Sequence, residues 1–309
     1  MTRLEVAERS GVDAEVSEIL WRLLGFPTAA DSDVAFTAAD VEALRLSAEL
    51  MELGIVSPES QAALVRTLAR SFARLAEWQT RLLTEIGEAD EIDDDEYVAL
   101  TAQVVPRIEK LQNYIWRRHL ASASASLLTT EDSAAGGVEL AVCFVDIVGY
   151  TSRSKELDET ELIEWVEQFE AEATGVVVDH GGQVIKTIGD EVLYVVEDPR
   201  QAAEVGLILT VRGSDESDSF PAVRVGIAYG NVVRRLGDVF GPTVNIAARL
   251  TSIARPGTVI GNQGVHDLLC SDHAPEGTRA DDLTLRRLPR MSVKGYSRLE
   301  SWAVRRAHS

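Results

Sequence analysis

The sequence predicts an α+β protein in two parts, and three observations support this prediction. Apolar residues recur at helical spacing through residues 1–120, which indicates an all-helical N-terminal domain. Small and polar residues fill 121–137, as in a flexible linker. From residue 138 onward strands and helices alternate in the order β-α-β-β-α-β, which is the order of a ferredoxin-like core. We therefore expect a second domain at 138–309.

The N-terminal domain is expected to begin with three short helices. Gly11 closes the first, the second covers Ala14–Leu24, and Thr37 caps the third. A long helix begins at Ser57-Pro58, because proline is favoured at the first helical position. Another helix is predicted over Glu96–Leu120.

The long helix that begins at Pro58 carries an apolar stripe. Its residues recur every three or four positions: Leu64, Leu68, Phe72, Leu75, Trp78 and Leu82. This spacing is typical of an amphipathic helix that packs on a neighbour. We therefore expect Trp78 to lie in a core rather than in a cofactor site.

Residues 1–55 resemble the DNA-binding head of MerR-type regulators, but their charge has the wrong sign. This segment holds four Arg and no Lys against eleven Asp and Glu, and the whole chain has a formal net charge of −20. Binding to nucleic acid requires a basic surface. We therefore expect no nucleic-acid partner and a packing or regulatory role for these helices.

The sequence shows no membrane span or secretion signal. No window approaches the roughly 18–20 apolar residues that a membrane helix needs. Acidic residues occupy the positions where a signal peptide would be apolar. We therefore expect the protein to be cytoplasmic.

The stretch Gln183–Val196 is predicted to form a β-hairpin with Gly189-Asp190 in its turn. Lys186 lies inside the first strand, where an ammonium group needs a partner. Asp146 lies at the end of another apolar strand and is followed by a glycine-containing turn. Carboxylates at such strand ends can bind Mg²⁺ or Mn²⁺, so Asp146 and Asp190 are candidate metal ligands.

A third motif covers Gly237–Arg249, in which Asn245 and Arg249 are four residues apart on one helix. Together with the two carboxylate motifs and Val293–Tyr296, it resembles the catalytic domain of class III nucleotidyl cyclases. The match covers about Val138–Trp302. The resemblance implies an adenylate or guanylate cyclase with the ferredoxin-like fold of that family.

The resemblance also implies a role for each matching residue. Asp146 and Asp190 would hold two Mg²⁺ or Mn²⁺ ions, which assist attack of the ribose 3′-hydroxyl on the α-phosphate. Asn245 would position the ribose, and Arg249 would stabilise charge on the α-phosphate. Lys294 would bind the terminal phosphates.

Lys186 and Asp238 correspond to the residues that bind the base. Lysine only donates hydrogen bonds and a carboxylate only accepts them. Adenine offers an acceptor at N1 and a donor at N6, whereas guanine offers the reverse pair. The predicted substrate is therefore ATP, and the predicted products are cyclic AMP and pyrophosphate.

Within this family the chain is most similar to the actinobacterial branch with a short dimerisation arm, because the segment between Gly230 and Asp238 is short. Spacing leaves open whether Arg234 or Arg235 is a second catalytic arginine. The resemblance implies a homodimer whose chains share each active site, and a helical N-terminal regulatory domain. Some members of this branch respond to pH, for which Asp93–Glu96 and His119 are candidates. The alternative function is a nucleotide-sensing domain with weak catalysis.

Overall fold

The computed structural model describes residues 1–26, 30, 32–54, 58–89, 93–129, 137–215, 217–270, 282–289, 291–293 and 296–307. Contacts within the chain separate two units, Met1–Glu131 and Asp132–Ser309. Within the described ranges no helix is both long and apolar enough to cross a bilayer.

Three short helices build a small core at the start of the first unit. They are α1 (Arg3–Ser10), α2 (Ala14–Leu23) and α3 (Ala38–Glu52). As predicted, Gly11 ends α1 in the left-handed conformation, with φ of 74°, which glycine adopts without strain. The side chains of the core are Val6, Leu20, Val41 and Leu44, with Trp21 and Phe36 packed against them.

Two long helices, α4 (Pro58–Ala89) and α5 (Asp94–Thr129), complete the first unit. The helix that the sequence predicted to end at Leu120 continues to Thr129. The predicted linker begins with alternating Ala and Ser, and alanine is the strongest helix former, so this end of the segment extends the helix.

The apolar stripe of α4 is exposed. Trp78 has 55% of its surface accessible, so the expectation that it lies in a core is wrong for the single chain. Among the described side chains of α4, only Ala63 and Leu83 are buried, and in α5 none is. The periodicity correctly predicted an apolar face on α4, but the described residues of the chain leave this face exposed.

The second unit alternates strands and helices, as predicted. In chain order they are β1 (Val138–Ile147), α6 (Tyr150–Arg153), α7 (Glu159–Asp179), β2 (Gln183–Ile188), β3 (Glu191–Val196), α8 (Pro199–Arg212), β4 (Val223–Arg235), β5 (Asp238–Phe240), α9 (Pro242–Ile253), β6 (Val259–Gly261), α10 (Gln263–Cys270), β7 (Leu283–Arg287), β8 (Met291–Val293), β9 (Tyr296–Leu299) and β10 (Trp302–Arg306).

The main sheet has the strand order β2-β3-β1-β4-β6-β10-β7, and β5 pairs with the end of β4. The pairs β2–β3, β3–β1 and β1–β4 are antiparallel, whereas β4 and β6 are parallel. This order confirms the predicted ferredoxin-like core, to which β6, β10 and β7 are added. The strands β8 and β9 form a separate two-stranded sheet.

Apolar cores cover both faces of the main sheet. On one face Cys143 and Val145 of β1 pack with residues of α7, α8 and α10. On the other face Val142 and Phe144 pack with residues of α9 such as Leu250. Side chains alternate along a strand, so each residue of β1 is assigned to one of these faces. We call the second one the α9 face.

Candidate active site

Two carboxylates meet at one end of the sheet. Asp146 follows Phe144 by two residues in β1, so its side chain lies on the α9 face. Asp190 lies in the two-residue turn between β2 and β3, and its carbonyl oxygen accepts a hydrogen bond from the Ile147 N–H at 3.1 Å. Glu191 is directly opposite Asp146 in the neighbouring strand. We call Asp146, Asp190 and Glu191 the acidic edge.

Arg224 is the cation of the acidic edge, and the sequence analysis missed it. It is the partner of Asp146 in β4: its Nε donates to Asp146 Oδ2 at 2.6 Å, and its Nη2 lies 2.5 Å from the same oxygen in an ion pair. Its Nη1 lies 3.5 Å from the Ser252 carbonyl oxygen at the end of α9. The available signal was an arginine, Arg224, within the otherwise apolar run 223–228 at the start of the strand.

Burial and like charge act together on the acidic edge. Burial raises the pKa of Asp146, the hydrogen bond and charge of Arg224 oppose this, and Asp190 adds to the rise. Burial, followed by the charges of Asp146 and Asp190, raises the pKa of Glu191 to about 7. Crowded carboxylates of this kind are stabilised by a bound cation.

The acidic edge fits a divalent cation whose remaining ligands are phosphate oxygens and water. Among the residues that the structure describes, no three His, Cys, Asp or Glu side chains form a full metal cage. Mg²⁺ is usually held by one or two carboxylates together with substrate phosphates and water. Asp146 and Asp190 supply such oxygen ligands, and Arg224 adds a positive charge that suits phosphate.

Lys186 and Asp238 are brought together as predicted. Lys186 Nζ donates to Asp238 Oδ2 at 2.5 Å, across 52 positions of sequence. The lysine side chain is 42% exposed and the aspartate side chain 29% exposed. The other carboxylate oxygen accepts from the N–H of Val239 at 2.9 Å, which fixes the orientation of the aspartate. Both groups remain accessible to a ligand.

A β-bulge directs Lys186 to the α9 face. Val184 is opposite Tyr194, whereas Lys186 is opposite Leu193, so the register shifts between them. Tyr194 faces the α7 side and Leu193 the α9 face. Simple alternation from Val184 would have placed Lys186 on the α7 side. The extra residue, Ile185, reverses this, as bulges next to active sites often do.

Asn245 and Arg249 share the outer side of α9. Asn245 is exposed and Arg249 is half-buried, whereas Ala247 and Leu250 face the sheet. Neither polar side chain makes a hydrogen bond or ion pair with any residue in the described ranges. The helix approaches the sheet closely because β4 has Gly226 beneath it: a Cβ there would lie 2.3 Å from the Thr251 nitrogen.

The structure thus groups four of the predicted site residues into two pairs, Asp146 with Asp190 and Lys186 with Asp238. It gives Asn245 and Arg249 a common side of one helix, and within the described residues neither has a hydrogen bond or ion pair to either of these pairs. The predicted phosphate ligand Lys294 lies outside the described residues. Arg234 and Arg235 are both exposed at the end of β4.

Comparisons with known proteins agree with the motifs. Residues 135–306 match the adenylate and guanylate cyclase catalytic domain family. An adenylate cyclase of Glutamicibacter nicotianae is 38% identical over 278 residues, which are 84% of this chain and 69% of that protein. An adenylate cyclase of Streptomyces coelicolor is 36% identical over 285 residues, 90% of this chain and 74% of that protein.

A third relative also includes the N-terminal helices. A pH-sensitive adenylate cyclase of Mycobacterium tuberculosis is 32% identical over 288 residues, which are 88% of this chain and 70% of that protein. These matches confirm the family that the three motifs predicted. The chain belongs to the class III adenylate cyclases.

Proposed function

We propose that this protein converts ATP into 3′,5′-cyclic AMP and pyrophosphate at a site built from the acidic edge, the Lys186–Asp238 pair and the outer side of α9. The observation that carries the proposal is the Lys186–Asp238 contact. It places a donor-only group beside an acceptor-only group at the position where the family resemblance expects the base. Two similar proteins, from Glutamicibacter nicotianae and Streptomyces coelicolor, are called adenylate cyclases.

The base is selected by hydrogen bonding. Lys186 would donate to adenine N1, and Asp238 would accept from the N6 amino group. Guanine would set its N1–H against the lysine and its O6 against the carboxylate. A site built from buried or oriented polar groups rejects a mismatched ligand strongly, because those groups are left unpaired. ATP is therefore the proposed substrate.

Asp146 and Asp190 are the proposed ligands of two Mg²⁺ or Mn²⁺ ions. When bound, such ions lower the pKa of the ribose 3′-hydroxyl and neutralise the triphosphate. Arg224 holds the Asp146 carboxylate in place through a hydrogen bond from Nε and an ion-pair contact from Nη2 to the same oxygen. The new bond joins the 3′-oxygen to the α-phosphorus, and the bond to the β-phosphate breaks. Pyrophosphate leaves, and the hydroxyl proton passes to solvent.

The remaining residues would orient the substrate. Asn245 would hold the ribose, and Arg249 would stabilise the charge that develops on the α-phosphate. The Arg249 guanidinium has no partner among the described residues, so its donors are available for phosphate oxygens. Lys294 is proposed to bind the terminal phosphates.

We propose that each active site is shared between two copies of the chain. Within one chain Asn245 and Arg249 lie on the outer side of α9 and make no contact with the acidic edge. A second copy related by a two-fold axis would bring them to the acidic edge of its partner, and would create two equal sites.

The short β4–β5 arm supports this arrangement. The arm turns through Leu236-Gly237, and Leu236 has φ of 54°, a left-handed conformation that is strained for a leucine. Asn or Gly is usual at such a turn. Val233, Leu236 and Phe240 are each at least half exposed. A strained, exposed leucine at the tip of an apolar arm is consistent with contact to a second copy.

The test is direct synthesis of cyclic AMP. Purified protein with ATP and Mn²⁺ should produce cyclic AMP and pyrophosphate in equal amounts, and chelation of the metal should stop it. Asp146→Ala should lower the rate by about 10³-fold or more, since it removes a metal ligand. Asp179→Ala, an exposed acid at the end of α7, is the matched control. Binding of ATP without product would instead support the nucleotide-sensing alternative.

We also propose that residues 1–120 form a regulatory domain that makes the activity depend on pH. The proposal is supported by the similarity to a pH-sensitive adenylate cyclase across both parts of the chain. The candidate sensors are the acidic run Asp93–Glu96 and His119, both exposed on α5. Histidine titrates near pH 6.5, in the physiological range. The pH–activity curve of the full chain should differ from that of a chain beginning at Gly136; parallel curves would contradict this role.

A further inference from the structure

Glu191 is the first residue of β3, and the other five residues of this strand are buried. In the register of the sheet it lies directly opposite Asp146 of β1, and Asp146 lies directly opposite Arg224 of β4. Leu193 of β3 and Ala228 of β4 face α9, and residues two or four positions away on the same strand share that face. Glu191, Asp146 and Arg224 therefore form one row of side chains across three strands.

The positive charge of this row is engaged by its central residue. Arg224 contacts Asp146 Oδ2 through both Nε and Nη2. Glu191 is one strand further away, so its Cα lies about 10 Å from that of Arg224, twice the spacing of neighbouring strands. Within the described parts of the chain the half-buried Glu191 carboxylate accepts no hydrogen bond and forms no ion pair.

Two facing carboxylates destabilise a sheet. Side chains directly opposite each other on antiparallel strands have Cβ atoms about 4.5–5.5 Å apart, and like charges at these positions repel each other. Asp190 precedes Glu191 in the chain and adds a third negative charge, so with Arg224 the acidic edge has a net charge of −2. Proteins retain groups that cost stability mainly where function requires them. The position of Glu191 therefore indicates a functional role at the acidic edge.

The cation site offers such a role outside its direct ligands. Arg224 engages Asp146 Oδ2, which leaves Oδ1 for a cation. No three His, Cys, Asp or Glu side chains of the described residues form a common ion site, so Glu191 does not ligate an ion together with both aspartates. A Mg²⁺ ion held by one or two carboxylates and phosphates keeps several waters. A carboxylate opposite Asp146 is suited to accept hydrogen bonds from those waters.

We propose that Glu191 is a positioning residue of the divalent-cation site, where its carboxylate accepts hydrogen bonds from the water ligands of the ion. This role rests on the proposed function, because it requires a cation at Asp146 and Asp190. The row across the sheet then has two parts: Arg224 orients Asp146, and Glu191 strengthens cation binding. Substitution of such outer partners typically lowers metal affinity by about 10–100-fold.

The test measures Mn²⁺ binding rather than turnover. Full-length wild type and Glu191→Gln are titrated with Mn²⁺ at mildly alkaline pH in the presence of 3′-deoxyATP, and free Mn²⁺ is measured by electron paramagnetic resonance. The analogue lacks the attacking hydroxyl, so it is not converted, and a change in affinity cannot arise from a lost contact to that hydroxyl. Glu197→Gln, at an exposed acid immediately after β3, is the matched control.

We expect Glu191→Gln to bind Mn²⁺ about 10-fold more weakly than wild type, since glutamine keeps the shape of glutamate but loses its charge. Glu197→Gln should match wild type. Without metal, Glu191→Gln should unfold at a temperature about 1–3 °C higher than wild type, because it removes the repulsion between facing carboxylates. A purely structural role would instead lower the unfolding temperature and leave the Mn²⁺ affinity unchanged.

Equal Mn²⁺ affinities of Glu191→Gln and a wild type that synthesises cyclic AMP would overturn this role and leave the proposed function standing. A wild type that neither binds Mn²⁺ with the analogue nor makes cyclic AMP would overturn both. Weaker binding by a Glu191→Gln chain that also unfolds at a lower temperature would overturn the positioning role, because a damaged fold would then explain the loss of affinity.

Discussion

The acidic edge and the Lys186–Asp238 pair lie on the same face of one sheet, but they differ in burial and in charge balance. In the acidic edge, burial raises the pKa values of Asp146 and Glu191, and the positive charge of Arg224 opposes this rise. The Lys186–Asp238 pair is exposed and already neutralised by its own ion pair. One cluster therefore attracts cations, whereas the other offers a directional hydrogen-bond pattern to a neutral base.

This difference separates two tasks of catalysis. Charge stabilisation requires a partly buried site, because a low dielectric strengthens electrostatic interactions. Base selection requires donors and acceptors in fixed positions that open to a ligand. In the proposed mechanism charge stabilisation falls to the acidic edge, on β1 and the β2–β3 turn. Base selection falls to Lys186 on β2 and Asp238 on β5. The following substitutions test how the acidic edge, the Lys186–Asp238 pair and the outer side of α9 combine into active sites.

The largest effect is expected from mixing two inactive chains. Asp146→Ala removes a metal ligand and Asn245→Ala removes the ribose contact, so each homodimer should be inactive. Half of randomly mixed dimers are heterodimers with one intact site of two, which restores about a quarter of wild-type activity. The measurement is cyclic AMP synthesis after the chains are unfolded and refolded together.

A second mixture provides the control for this experiment. Asp146→Ala mixed with Asp190→Ala should recover nothing, because the acidic edge of each chain then lacks one carboxylate. Recovery in neither mixture, although heterodimers are detected by differential tagging, would show that one chain supplies the whole site.

The next largest effect concerns the base. Lys186→Glu with Asp238→Cys replaces the donor by an acceptor and removes the fixed acceptor. We expect kcat/KM for ATP to fall about 100-fold, since the adenine edge then faces mismatched groups. The reverse ion-pair variant, Lys186→Asp with Asp238→Lys, keeps the charge balance and is the matched control for folding. Unchanged kcat/KM for ATP would contradict the assignment of this pair.

These clusters also show how far sequence reasoning reaches. The βαββαβ order and the hairpin were predicted from local patterns, and the partnership of Lys186 with Asp238 was predicted from the resemblance to class III cyclases. The bulge at Ile185 was not, since a register shift depends on pairing between strands. Arg224 was missed for the same reason: only the register of β4 against β1 places it opposite Asp146.

The stripe on α4 marks a different limit. Its helical spacing predicted correctly that an apolar face exists, but spacing alone does not distinguish a partner within the chain from one outside it. The exposure of Trp78 shows that the described residues of the chain do not cover this face. The end of α5 was misplaced because a run of Ala and Ser resembles a linker in composition while retaining high helix propensity.

A smaller effect is expected at Arg224. Arg224→Lys keeps the positive charge beside Asp146 but loses the guanidinium fork, in which Nε donates to Asp146 Oδ2 and Nη2 lies 2.5 Å from it. We expect kcat to fall about tenfold, because the carboxylate is no longer held in one orientation. Thermal unfolding should shift little, since the ion pair lies at the end of β1 and the start of β4. Arg212→Lys, which breaks a comparable arginine fork to Asp218 away from the site, is the control. Arg212→Lys should lower the temperature of thermal unfolding and leave kcat unchanged. An unchanged kcat for Arg224→Lys would contradict the positioning role of Arg224.

The smallest effect is expected at the tip of the β4–β5 arm. Leu236→Asn places a residue that tolerates the left-handed conformation at φ of 54° and removes exposed apolar surface. The free energy of unfolding should rise by about 0.5–1 kcal/mol, while activity falls a few-fold if leucine contacts a second copy. Val211→Asn, at an exposed apolar position of α8 that is 64% exposed, is the control and should leave activity unchanged. A variant that is both more stable and fully active would mean that the strained leucine has no role in the shared site. Contacts other than Leu236 would then have to bring the two polar clusters together.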